Sequence, residues 1–186
     1  MNMRSKNENP FKLKGSKVVY KNPWITVRED KVIRPGGKRG IFGVVEMVPG
    51  SSVLPFDGEY VYLVNEFKYG VGRESLEVIS GAIDHRETPL AAAKRELEEE
   101  TGFQASNWTA LAHVDPFTTV VNSPNYIFLA RKLKKGKKHT DEGEHLKTMK
   151  VKFREVIRMA MDGKISHAGS VVAILKTARL LQKRKS

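Results

Sequence analysis

The chain has 186 residues, 40% of them hydrophobic and 29% charged, with a formal net charge of +12 and no cysteine. That length suits one ordinary domain with a real core and is short for two. Without cysteine, a disulfide framework, a thiolate metal site and a cysteine nucleophile are all excluded, and a reducing cytoplasm is the expected setting. Residues 1–15 are polar and basic with no apolar segment, so no secretory signal is expected. No apolar run approaches the roughly 18 residues of a membrane span, so no membrane association is expected. The positive excess gathers in the first forty residues, in 131–138 and in 183–185. It favours polyanions, but no recognised nucleic-acid module accompanies it, and nucleic acid is not the expected partner.

In chain order, residues 1–15 read as a flexible basic lead-in. Residues 17–20 and 24–34 are rich in β-branched and aromatic side chains, and Pro35-Gly36-Gly37 punctuates them. With 41–48 they predict a small antiparallel sheet. Residues 53–56 and 60–67 read as a hairpin about Asp57-Gly58, a strong turn signal. Residues 76–79 form a short strand ending near Gly81. The clearest helix spans 89–101, with Thr88 as N-cap, Pro89 in the first position and Gly102 as the stop. Strands at 109–114, 126–133 and 148–153 follow. A helix over 154–162 stops at Gly163, and another begins near Ser166. In the latter Val171, Ile174, Leu175, Ala178 and Leu181 recur at helical spacing and belong to the core. The expected fold class is α/β, a mixed sheet packed between helices. Three segments are expected: a lead-in (1–15), an N-terminal β-subdomain (16–43) and a main domain (44–186).

The helix over 89–101 carries Glu96, Glu98, Glu99 and Glu100 in an otherwise basic chain. At about 100° per residue, Glu96, Glu99 and Glu100 share a face, whereas Glu98 points away. Like charges at this spacing destabilise a helix, and the C-terminal half is the wrong end for negative charge. A compensating cation is therefore expected, and oxygen-only ligands suit Mg²⁺ or Mn²⁺. A solvated acidic face neutralised by nearby lysines is the alternative.

From Gly81 the chain reads Gly, five residues, Glu87, seven residues, Arg95-Glu96-Leu97, one residue, Glu99-Glu100, one residue, Gly102-Phe103. This resembles the Nudix box, Gly-x5-Glu-x7-Arg-Glu-U-x-Glu-Glu-x-Gly-U, where U is bulky and apolar. The resemblance implies the Nudix fold, an α/β/α sandwich with a mixed sheet. It implies Glu96, Glu99 and Glu100 as ligands of a divalent ion, with Glu99 also placed among the catalytic residues. Glu87 and Arg95 would brace the loop against the helix, and Gly81 and Gly102 would serve the backbone.

Further residues resemble the ADP-ribose and nucleoside-diphosphate-sugar pyrophosphatase branch. Asn65 to Tyr69 stands where that branch commonly has Gln-Tyr-Arg, and Glu77-Val78-Ile79-Ser80-Gly81 where it has Glu-x-Pro-Ala-Gly. Lys68 replaces the arginine and would meet phosphate as a point charge. The Ser80 carbonyl would join the metal ligands, and Ala82 the substrate-binding set. Residues 140–146 resemble an acidic closing loop, which implies Glu142 as general base and Glu144 as a further metal ligand. The N-terminal sheet implies a homodimer, with Trp24 stacking on the base and Arg28 or Arg34 meeting phosphate or ribose. The loop from Asp115 to Pro124 departs from the branch's Ser-Pro-Gly pattern. His113, His145 and His167 are assigned to packing or surface. The implied reaction is metal-dependent hydrolysis of a nucleoside diphosphate sugar, foremost ADP-ribose to AMP and ribose 5-phosphate. A Nudix hydrolase of dinucleotides or capped RNA, and a non-catalytic nucleotide sensor on the same scaffold, are the alternatives.

Overall fold

The computed structural model describes residues 9–136 and 147–182. By internal contacts the chain forms two compact units, one ending at Val48 and taking in 117–123, the other holding the remainder.

The first unit is a four-stranded sheet in the order β1 (Lys12–Lys21), β2 (Ile25–Ile33), β3 (Arg39–Met47) and β9 (Val121–Asn122). The first three strands pair antiparallel, as the sequence predicts, and the short β9 runs parallel to β3 at Val45 and Glu46. β1 begins at Lys12, inside the segment expected to be a lead-in. Its residues are all exposed, so no alternation of burial announces it. Main-chain pairing to residues 26–33 makes the strand, interrupted by register shifts near Gly15 and Val19. Trp24 sits between strands, where Asn22 Oδ1 accepts the Trp24 and Ile25 amides at 2.9 and 2.8 Å.

The second unit contains two sheets and three helices. β7 (Ile79–Ala82), β4 (Gly50–Pro55), β10 (Asn125–Lys135) and β8 (Phe103–Val114) lie in that order. β4 and β10 are parallel and the other pairs antiparallel, so the sheet is mixed. β11 (Lys147–Lys152), β5 (Tyr60–Lys68) and β6 (Arg73–Glu77) form an antiparallel sheet. The hairpin expected at Asp57-Gly58 is corrected here. The turn exists, with Asp57 Oδ1 accepting the Tyr60 amide at 2.7 Å. Only the bridge Phe56–Val61 follows, because β4 finds its partners in one sheet and β5 in the other. Likewise the strand expected at 76–79 is divided. The chain leaves one sheet after Glu77 and joins the other at Ile79.

Period two sorts the core. In β4 and β10, Val53, Phe128 and Ala130 meet α1 (Pro89–Thr101) through Ala93 and Leu97. Leu54, Ile127 and Leu129 pack on the opposite side with Val156 of α2 (Phe153–Met161) and Ile174 of α3 (Ala168–Gln182). Each of the larger of these side chains, from valine to phenylalanine, contributes about 1.5–3 kcal/mol on burial. The result is the expected α/β/α sandwich with a mixed sheet. Among the described residues no helix is long and apolar enough to cross a membrane.

Candidate active site

α1 has the ends its sequence predicts. Thr88 Oγ1 accepts the Ala91 amide at 3.2 Å, and Gly102, at φ 69°, returns its N–H to Glu98 O at 2.8 Å. Leu97 is fully buried, and this sets the roll of the helix. It leaves Glu99 half exposed, Glu96 nearly buried and Glu100 buried. The Glu96 carboxylate lies against the Cα of Gly81, where any Cβ would collide with it. Gly81 thus serves by absence of a side chain and needs no left-handed backbone there.

Arg95 gathers the box. Its guanidinium donates to both oxygens of Glu87 at 3.2 and 3.1 Å, to Glu96 Oε1 at 2.6 Å, to Glu99 Oε2 at 3.1 Å and to the Ala82 carbonyl at 2.9 Å. The Glu87 bonds foremost hold Arg95 protonated well above its ordinary range, and the Arg95 bonds hold the Glu87 carboxyl below its own. Glu87 also accepts the Asp84 amide at 3.1 Å, which closes the turn that carries Arg86 at φ 68°. At Glu96 and Glu99 the cation that relieves the acidic face is therefore Arg95, while Lys68 lies within electrostatic reach of Glu100. Among the described residues no three acidic or histidine side chains converge as a metal site, because Glu96 and Glu99 are turned towards Arg95. Ser80 lies in β7 opposite Ser52, next to Gly81.

A second group lies beyond the C-terminal end of α1. Lys68 contacts Glu66. Burial works against its charge, but Glu66, Glu77 and Glu100 outweigh that and hold the ammonium above its ordinary pKa. Thr148 Oγ1 donates to the Glu100 carbonyl at 3.1 Å. Arg73, opposite Lys68 in the β5–β6 pairing, donates to Ser166 Oγ at 2.9 Å. His167 Nδ1 stands 3.4 Å from the buried Glu77 carboxylate and 2.9 Å from Ser170 Oγ. From sequence Glu77 was given no role, although it opens the segment that resembles Glu-x-Pro-Ala-Gly, and His167 was assigned only to packing or surface. His167 carried no spacing signal, because its partner is ninety residues earlier in the chain.

Trp24, Arg28 and Arg34 belong to the first unit. Trp24 is 70% exposed, beside a cavity of about 260 Å³ that Met47 also lines. Arg28 bridges Asp30 and Glu46. Arg34 lies over the Phe42 ring at 5.5 Å and across Gly40. The two arginines are thus engaged separately and do not converge. Glu142 and Glu144 lie outside the described residues.

Comparison with known proteins agrees with this geometry. Residues 11–45 match the nucleoside diphosphate sugar hydrolase N-terminal domain, and residues 47–171 match the NUDIX domain. The chain is 26% identical to an ADP-ribose pyrophosphatase of Bacillus subtilis (strain 168) over 172 residues, which are 90% of this chain and 93% of that protein. It is 30% identical to the ADP compounds hydrolase NudE of Escherichia coli (strain K12) over 124 residues, 66% of each. A crystal structure of an ADP compounds hydrolase superposes with a TM-score of 0.85 at 23% identity, covering 97% of this chain and 98% of that one, a likeness of fold. With the box assembled around Arg95 and the domain match spanning most of its length, the chain belongs to the Nudix hydrolases, in the branch of the ADP-ribose and nucleoside diphosphate sugar pyrophosphatases.

Proposed function

We propose that this Nudix hydrolase cleaves the diphosphate of ADP-ribose, giving AMP and ribose 5-phosphate, with Mg²⁺ or Mn²⁺ held by Glu96, Glu99 and Glu100. The observation that carries the reading is the cradle at Gly81, which seats the Glu96 carboxylate against β7 beside Ser80. The donor set is all oxygen and fits a hard divalent ion. Glu96 and Glu99 would turn towards the ion, while Arg95 keeps Glu87 and the Ala82 carbonyl. When bound, the ion supplies charge neutralisation across the diphosphate oxygens. Lys68 presents its ammonium to a substrate phosphate. Glu142 takes a proton from the attacking water, and Glu144 adds a ligand. Trp24 stacks on the base, and Arg28 or Arg34 assists at phosphate or ribose. The N-terminal sheet, with its wholly exposed β1, forms the homodimer contact. The absence of cysteine supports a cytoplasmic setting.

The test is a hydrolysis screen of the purified full chain with Mg²⁺ or Mn²⁺, with and without EDTA. Its panel holds ADP-ribose, ADP-glucose, GDP-mannose, diadenosine polyphosphates, NADH and capped RNA. Fast, EDTA-sensitive release of AMP from ADP-ribose is expected. Cleavage of dinucleotides or capped RNA alone would overturn the substrate, and silence throughout would favour a nucleotide sensor.

A further inference from the structure

We infer that His167 is a positioning residue for the substrate end of the site. It fixes the buried Glu77 carboxylate at the point where the chain passes from one sheet to the other, and so leaves Lys68 free for a substrate phosphate. The inference rests on the role proposed above for Lys68.

Glu77 closes β6 and is only 7% exposed. A carboxylate so buried needs a donor. His167 faces the carboxylate from directly before α3, with Nδ1 3.4 Å from Oε2. Its carbonyl accepts the Val171 amide at 3.0 Å, so the start of the helix fixes its backbone. Its ring lies over Gly169, where a Cβ would stand 3.1 Å from the imidazole Cε1. Ser170, fully buried, accepts the Val78 amide at 2.9 Å. That amide belongs to the residue at which the strand changes sheets.

These contacts favour one tautomer. The Val78 N–H occupies one lone pair of Ser170 Oγ. An ionised Glu77 only accepts, so the tautomer that attracts it across 3.4 Å is the one with the proton on Nδ1. Nδ1–H is then shared between Glu77 Oε2 and the second lone pair of Ser170. Burial foremost, with the Lys68 charge, keeps the ring neutral against the pull of Glu77. A neutral donor orients Glu77 without cancelling its charge.

Glu77 stands within electrostatic reach of Lys68, as do Glu66 and Glu100. Lys68 has three N–H donors, and the contact with Glu66 takes up one. Without His167, Glu77 keeps its charge but loses the ring that orients it, and Lys68 lies within its electrostatic reach. An ion pair between them would withdraw the ammonium from the substrate. The loss would therefore fall on substrate capture more than on turnover.

The experiment compares the full-length wild type, His167→Ala, His167→Asn, Glu77→Gln and Glu77→Gln/His167→Ala under steady-state conditions with the best substrate of the panel. His167→Ala is expected to raise KM about tenfold with kcat within about threefold. His167→Asn, whose side-chain amide can stand in for Nδ1–H, should recover most of the loss. In the double variant the neutral amide no longer captures Lys68, so KM should fall back towards that of Glu77→Gln alone. Equal loss in kcat and kcat/KM, or no rescue by asparagine, would reduce His167 to a structural role and overturn the inference. Long-range ¹⁵N NMR of the imidazole at neutral pH reads the tautomer without any substrate. A neutral Nδ1–H ring is expected, and an Nε2–H ring overturns the inference even if no panel compound is hydrolysed.

Discussion

At the scale of single residues, the box works through two opposite devices. Gly81 makes room, and Arg95 fills it with charge. Gly81→Ala should push the Glu96 carboxylate away from β7 and cost about 10–100-fold in activity, the range for disturbing a ligand's support. Because the clash is with the far end of a flexible side chain, the thermal midpoint should barely move. An equal fall in stability and activity would argue against the cradle. Glu100→Gln keeps the shape and removes a charge from a crowded helix face. It should lower turnover by at least about 100-fold, the upper end of what losing a mere supporting group costs. Its stability should change little, since the amide keeps the shape and the relief of like-charge repulsion along the helix offsets the lost attraction to Lys68. Wild-type rates in that variant would remove Glu100 from the metal set. His167 adds a pH dependence. Its pKa in the fold lies below the ordinary 6.5, so the unfolded chain binds the proton more readily. Facing Glu77 raises it, while burial and Lys68 lower it more. Stability should therefore be free of this cost above pH 6.5 and decline as pH falls below it. His167→Asn should flatten that portion of a melting-temperature profile.

At the scale of elements, α1 was readable because its signals are local. Cap, first-position proline, apolar stripe and stop glycine all lie within fifteen residues, and the observed helix spans Pro89–Thr101 as predicted. Thr88→Ala should cost about 1 kcal/mol by leaving a first-turn amide uncapped. That corresponds to a fall of roughly 2–4 °C in melting temperature for a domain of this size, measurable by calorimetry. No shift would mean that solvent caps the helix as well as Thr88 does. Beyond the N-terminal sheet, the strands were legible in place but not in partnership. The turn at Asp57 forms, yet β4 and β5 separate after one bridge. Val78 divides a single apolar run between two sheets. Both outcomes depend on which strands meet in space, which periodicity cannot specify. β1 was under-read for the complementary reason: a strand exposed on both faces has no burial pattern to display.

At the scale of the whole molecule, charge is the property with a direct consequence. Residues 1–48 carry eleven Lys or Arg against four Asp or Glu, and the chain as a whole is +12. An anionic substrate is steered by such a field. Raising ionic strength from about 0.01 M to 0.15 M shortens the screening length from about 30 Å to about 8 Å. kcat/KM should fall across that range while kcat stays level, and a salt-independent kcat/KM would confine electrostatics to the immediate site.

What the sequence by itself determined is the family, the box, the acidic helix face and the sandwich class, because each is written in spacing over a short stretch. Only the tertiary structure decided that the acidic face is met by Arg95, that Gly81 is required by Glu96, and that Glu77 has His167 as partner. These are contacts across eight, fifteen and ninety residues, made where separate elements converge. Their energy depends on distance and burial in space, and neither is a property of position along the chain.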